Sequence, residues 1–238
     1  GSFDIPNVSG SPTGLLRWGA DGIAFRTAGQ IFLARSVLIN GATGEPIVNS
    51  SAANFRTARL ARESIVSAFG MKLATTTVSA TMTPLPTMLG GTTVMVKDNV
   101  GVERLAPLFF VSPTQINYQV PPGTAVGPAM VTVTAADGTA TLSTAQISAV
   151  APALFSANST GQGAPAGVVL RVSPGNIQTY EPVVRFDAMQ NRFSLIPIDL
   201  GPATDQLILV LFATGTRFNT ADSLAARIGC ADVPVLFA

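Results

Sequence analysis

The chain has 238 residues, 47% hydrophobic and 11% charged, length enough for one large domain or two modest ones with cores of their own. Its 14 Lys and Arg stand against 13 Asp and Glu, and this balance leaves no field to draw in nucleic acid or an anionic membrane surface. Histidine is absent and cysteine occurs once, at Cys230, which excludes an internal disulfide framework and leaves a small thiol expected in the core.

The opening Gly-Ser reads as a cloning remnant, with no basic, apolar and small-residue order of an export signal after it. Residues 1–40 hold three short strand-like runs with turns at Ala20-Asp21-Gly22 and Ala28-Gly29. They predict a small antiparallel sheet, marginal alone. Residues 50–63 tolerate helix, but Phe55, Ala58, Leu60 and Ala61 make no amphipathic stripe, so one turn of helix is the most expected there. Residues 64–70 and 91–99 predict strands, and the prolines of 83–91 place that stretch in a loop because they cannot donate to a central ladder.

In "VSPTQINYQVP", residues 111–121, a Ser-Pro turn feeds a strand that alternates. Ile116, Tyr118 and Val120 fall on one face and Gln115, Asn117 and Gln119 on the other. In residues 129–147 two alternating runs flank Asp137-Gly138, which predicts a hairpin with a two-residue type I′ turn. Val131, Val133 and Ala135 then face one side, Thr132 and Thr134 the other. "GQGAPAG", 161–167, carries the glycines of a dinucleotide fingerprint but precedes the β-like "VVLRVS" instead of opening a helix, so it reads as a flexible interdomain turn. "LILVLFA", 207–213, is the longest apolar run. It falls short of the ~18–20 residues of a membrane span and suits a buried strand.

The 17 prolines and 22 glycines punctuate short Val-, Ile-, Thr- and Phe-rich stretches throughout, the signature of an all-β sandwich. Residues 64–72 have a faint echo in 207–217, and 91–110 in 229–238. The echo predicts tandem units: an N-terminal β segment over 1–45, a sandwich over 46–150, and a second, incomplete unit over 151–238. An incomplete sandwich exposes a sheet edge, which a second copy of the chain can close.

Five ordered blocks carry a family resemblance: "SAANF", "SIVSAFGMKLA", "PLPTMLGGTTVMV", "APLFFVSPTQINYQVP" and "APALFSANSTGQGAP". Over roughly residues 50–238 the chain resembles the uncharacterised C-terminal domain of many secreted proteins of Solibacter-type (acidobacterial) soil bacteria. "RWGADGIAFRTAGQIFLARS", 17–36, is similar to the last strands of the β-propellers that often precede that domain. Arg62-Glu63 stands where the family's pattern has a Pro-Gly turn. The resemblance implies an immunoglobulin-like sandwich, export from the cell and a preceding domain of the same polypeptide as neighbour; it implies no activity.

Chemistry finds few residues to work with. Without histidine the usual general base, the Ser-His-Asp arrangement and the commonest metal ligand are missing. Phe69 and Val94 stand three positions before Lys72 and Lys97, the only lysines, so no Ser-x-x-Lys dyad exists, and neither lysine follows a glycine as in a phosphate loop. Zinc would need several Cys or His ligands, and calcium has no Asp-x-Asp-x-Asp-Gly loop to support it. Two carboxylate pairs, Asp98 with Glu103 and Glu181 with Asp187, keep open a glycosidase component, although solvated loop charges explain them more simply. The Asn-x-Ser/Thr sites at Asn7, Asn49 and Asn158 matter only in a eukaryotic secretory host.

No catalytic, cofactor-binding or metal-binding residue is therefore assigned. The leading expectation is a non-catalytic extracellular module without a cofactor, for structure or attachment. The alternative is a carbohydrate-binding or adhesive module in which Gln115, Asn117 and Tyr118 offer hydrogen bonds and a stacking face. Trp18 as sole tryptophan, with Tyr118 and Tyr180 the only tyrosines, counts against that alternative.

Overall fold

The computed structural model describes the backbone of residues 13–18, 22–26 and 31–35, and residues 47–57, 59–219, 225–228 and 230–236 in full. The chain divides into two compact units, Gly1–Gly41 and Ala42–Ala238. No helix forms among the described residues. The protein is all-β.

In the first unit β1 (Thr13–Trp18), β2 (Gly22–Arg26) and β3 (Ile31–Arg35) pair antiparallel in that order, as the three predicted runs require. The turns expected at Ala20-Asp21 and Ala28-Gly29, and the sequon at Asn7, lie outside the described residues.

The second unit begins with β4 (Val48–Ser51), β5 (Leu60–Ala61), β6 (Ile65–Phe69), β7 (Val78–Ser79), β8 (Met88–Leu89), β9 (Thr92–Lys97), β10 (Glu103–Leu105), β11 (Leu108–Val111), β12 (Gln115–Gln119), β13 (Gly127–Thr134) and β14 (Ala140–Ser148). Two sheets result. One has the order β4-β6-β12-β11-β7, the other β10-β9-β13-β14-β5 with β8 added beside β9. The inward residues of both merge into one buried cluster, with Val66, Ala68, Ile116, Tyr118, Leu108 and Val111 from the first sheet. Val94, Val96, Val131, Val133 and Ile147 come from the second. Burying a side chain of this size stabilises by about 1.5–3 kcal/mol relative to leaving it in water, so the alternation along β9, β12 and β13 sets which face turns inward. The result is sandwich-like.

The predicted faces are found. Ile116, Tyr118 and Val120 are buried while Gln115, Asn117 and Gln119 are half-buried, and Val131, Val133 and Ala135 are buried opposite Thr132 and Thr134. The single turn of helix allowed within 50–63 is found as one uncontinued turn between β4 and β5, Phe55 N donating to Ser51 O at 2.9 Å and Phe55 ending it at φ 55°. Four local expectations are corrected. The loop expected over 83–91 contains the short strand β8, its prolines all lying before Met88. The β13–β14 hairpin does not close with a type I′ turn, because only Gly138 has positive φ (85°) and Asp137 does not. Ala135 and Thr139 pair through Ala135 N and Thr139 O (2.9 Å), and Gly138 N bonds Ala135 O (3.0 Å). This leaves the three-residue loop in which a type I turn ends in a left-handed glycine.

The chain continues through β15 (Ala153–Leu154), β16 (Gly167–Ser173), β17 (Ile177–Pro182), β18 (Val184–Asp187), β19 (Arg192–Leu195), β20 (Gln206–Leu211), β21 (Ala213–Thr214), β22 (Ala226–Ile228) and β23 (Ala231–Val233). β17-β16-β20 form an antiparallel sheet, and β15–β21, β18–β19 and β22–β23 are two-stranded. The third correction concerns β20, expected as a buried strand. It stands at the edge of a three-stranded sheet and leaves Leu209 and Leu211 exposed, at 42% and 37%. The fourth concerns Cys230: the thiol lies in the connection from β22 to β23, a two-stranded sheet, and is exposed.

Segment 213–218 rests on the first pair of sheets. Thr214 Oγ1 accepts from Ile65 N at 2.8 Å, Arg217 pairs with Glu63 at 2.8 Å, and the Arg62 guanidinium lies 4.3 Å from the centre of the Phe218 ring. Arg62 and Glu63, in the turn between β5 and β6, thus supply the side chains that meet Phe218 and Arg217 at that junction.

Candidate functional site

A hollow of ≈ 340 Å³ opens on the outer face of the β4-β6-β12-β11-β7 sheet. Its floor is the face of β6 and β12 that alternation turns away from the core: Ile65 and Ser67 beside Gln115 and Asn117. Three phenylalanines, Phe55, Phe109 and Phe155, make the walls.

Each ring arrives for a local reason. Phe55 follows β4 in a tight turn whose N–H bonds Ser51 O at 2.9 Å, and its ring lies 5.9 Å from that of Phe69. Phe109 sits in β11 where the register against β12 slips between Leu108 and Phe110. Such a bulge re-aims a side chain, here onto the outer face while Leu108 and Val111 stay in the core. Phe155 is anchored by Phe155 N to Phe212 O (2.9 Å) and Ala166 N to Phe155 O (2.7 Å).

From Phe155 the chain runs out and back through Ala157 N to Ala164 O (2.8 Å) and a bridge between Ser156 and Pro165. At the tip Gly161, φ 75°, donates to Ser156 Oγ at 2.9 Å and lies so near Asn54 that a Cβ would meet its backbone at 2.8 Å. The stretch expected as a flexible interdomain turn is therefore half of a loop that packs back on the turn after β4. Close backbone approach is what its glycine permits.

The polar groups form a chain. Gln115 Nε2 and Ser67 Oγ both donate to Asn117 Oδ1, each at 2.9 Å. This leaves Asn117 Nδ2 and Gln115 Oε1 without a hydrogen-bond partner among the described residues. No lining residue is ionisable. The arrangement can hold a neutral ligand by contact and hydrogen bonding, and it contains no group that moves a proton near neutral pH.

The third residue of that expected polar set is elsewhere. Tyr118 is 1% exposed in the core, and its hydroxyl donates to Asn49 Oδ1 at 3.0 Å. Burial pushes the phenol well above its usual range. Asn49 is itself buried, with Nδ2 donating to Ser143 Oγ at 2.6 Å, whereas Asn158 is exposed beside the hollow's outer loop.

Neither carboxylate pair lies in the hollow. Asp98, expected as a solvated loop charge, is buried: its Oδ2 takes Arg104 Nη1 at 2.7 Å and Ala125 N at 3.2 Å, and its Oδ1 takes Val100 N and Val102 N. Burial pushes its pKa up, but the Ala125 and Val102 N–H groups, the Arg104 guanidinium and the Val100 N–H outweigh that and hold it below the usual 3.8. Glu103 meets Lys97 at 3.0 Å on the surface. Glu181 grips Arg171 with both oxygens, at 2.5 and 3.1 Å, and this lowers its own pKa. Arg171 also bonds Asp205 and Asp199 O, pinning the stretch after β19. Asp187 accepts from Met189 N and Gln190 N in the β18–β19 turn. Among the described residues no three or more His, Cys, Asp or Glu side chains gather as a metal site, and no helix is long and apolar enough to cross a membrane.

Comparison with models of known protein families, with curated proteins and with solved structures finds no match for this chain. The site is therefore argued from its own geometry. Alternation pointed to Gln115 and Asn117; it held no signal for Phe55, Phe109 or Phe155, which a turn, a bulge and a returning loop bring to them.

Proposed function

We propose that this chain is a non-catalytic extracellular module for structure and attachment, belonging to the C-terminal end of a larger secreted protein. On this reading residues 46–150 and 151–238 are tandem immunoglobulin-like units, the second incomplete, and 1–45 is the remnant of a propeller blade belonging to the preceding domain. The resemblance of residues 50–238 to the domain of Solibacter-type secreted proteins motivates it.

The observation that carries the reading is the use of charge. Asp98 with Arg104, Arg171 with Glu181 and Asp205, and Arg217 with Glu63 each tie a loop to a strand or one segment to another. The hollow on the outer face of β6 and β12 is lined by neutral side chains. Attachment has a surface in the last third of the chain, where Tyr180, Phe186, Leu195 and Phe212 are half-exposed or more and β20 leaves one edge unpaired among the described strands. An apolar edge strand without charge or proline is a template for another strand. A second copy of the chain is the partner that this edge fits, by antiparallel pairing about a two-fold axis.

Light scattering over a range of concentrations tests the attachment, with a mass that rises to two chains expected and its loss expected in Leu209→Lys. A single-chain mass at every concentration sinks self-association. Turnover of a glycoside or ester substrate, abolished by a single side-chain replacement, sinks the non-catalytic reading.

A further inference from the structure

We propose that the hollow on the outer face of β6 and β12 binds a neutral sugar residue of a glycan chain. This deepens the reading of a module that binds and does not transform. Three aromatic walls and Ile65 supply apolar contact, while Asn117 Nδ2 and Gln115 Oε1 supply a donor and an acceptor with no partner among the described residues. A pyranose ring has the complementary pair of properties: C–H faces that lie against aromatic rings, and hydroxyls that both donate and accept. The absence of charge from the lining disfavours phosphates, nucleotides and free amino acids, whose ions would leave water for a site with no counter-ion. A purely apolar ligand would leave the amides unpaired, at a penalty. The volume, ≈ 340 Å³, lies at the small end of ligand hollows, roughly 300–1,000 Å³, and suits part of a chain more than a large compact ligand.

The hollow is also held ready. Asn117 Oδ1 takes two donors, which orients Nδ2 outward, and Gly161 seats the outer loop against Asn54. Little ordering is left for the moment of binding.

The test titrates the purified chain by calorimetry with cellohexaose, xylohexaose and maltohexaose as neutral probes. Binding of at least one, unchanged by added sodium chloride, is expected. Asn117→Ala removes the donor and should weaken it roughly tenfold. Phe55→Gly removes a wall, and the ring contact with Phe69, at a position whose positive φ glycine accepts without strain, so it should weaken binding in a chain that still folds, as the thermal midpoint recorded alongside will show. Silence with all three probes, a steep salt dependence, or affinity indifferent to both substitutions overturns the sugar assignment. So does tighter binding of a deca-proline peptide lost in Asn117→Ala. Shortening of the probes on long incubation would instead overturn the non-catalytic reading, so the two failures are told apart.

Discussion

The Tyr118 hydroxyl donates to Asn49 Oδ1 at 3.0 Å, and Asn49 Nδ2 donates to Ser143 Oγ at 2.6 Å. Tyr118 and Asn49 belong to one sheet and Ser143 to the other, so a polar link spans the sandwich beside its apolar core. Tyr118→Phe keeps the ring and orphans the Asn49 oxygen. It should cost about 1–3 kcal/mol, read as a lower urea midpoint at unchanged slope; an unchanged midpoint would refute the link. Because the buried phenol's pKa lies above its unfolded value near 10, the native state keeps its proton where the unfolded chain loses it. Its contribution is whole below pH 10 and declines as pH rises beyond it, which absorbance of tyrosinate near 295 nm will follow.

Asp98 works at the acid end. Its folded pKa is lowered from 3.8, so its contribution is present above that value and is lost as pH falls through the folded pKa. Thermal midpoints taken down to about pH 2 should fall more gently for Asp98→Asn than for the parent, the variant starting lower at neutral pH. Parallel acid limbs would mean that Asp98 is not the group responsible.

At Gly138 the φ of 85° stands in open space, with nothing within 4 Å of an added Cβ. Gly138→Ala therefore meets backbone strain and no clash, and the expected loss is about 1–2 kcal/mol, recovered in part by Gly138→Asn. Equal stability of all three would contradict the three-residue loop.

Cys230 is exposed. Ellman's reagent should titrate one thiol in the native protein, without denaturant. Protection that disappears only in urea would return the residue to the core where its sequence context had placed it.

The legible features were those that repeat along the chain. Period-two burial in Gln115–Gln119 and in Gly127–Thr134 follows from strand geometry alone, and it named the faces of both sheets before any pairing was known. The Asp137-Gly138 hairpin was legible in place but not in turn type, because both loop geometries accept the same two residues.

What alternation determined is which side of a strand is apolar; what covers that side, or the side opposite, depends on segments distant in sequence. β20 reads like a core strand, yet its edge position in a three-stranded sheet leaves it half in water. The polar face of β12 reads like a solvated surface, yet residues 52–55 and 155–161 fold over it and make a hollow. Periodicity is a local property of the backbone, whereas burial is set by which neighbour arrives. Gln115 and Asn117 were thus marked by their own segment as outward-facing, and only the turn after β4, the bulge in β11 and the returning loop, each bringing one ring, made them part of a site.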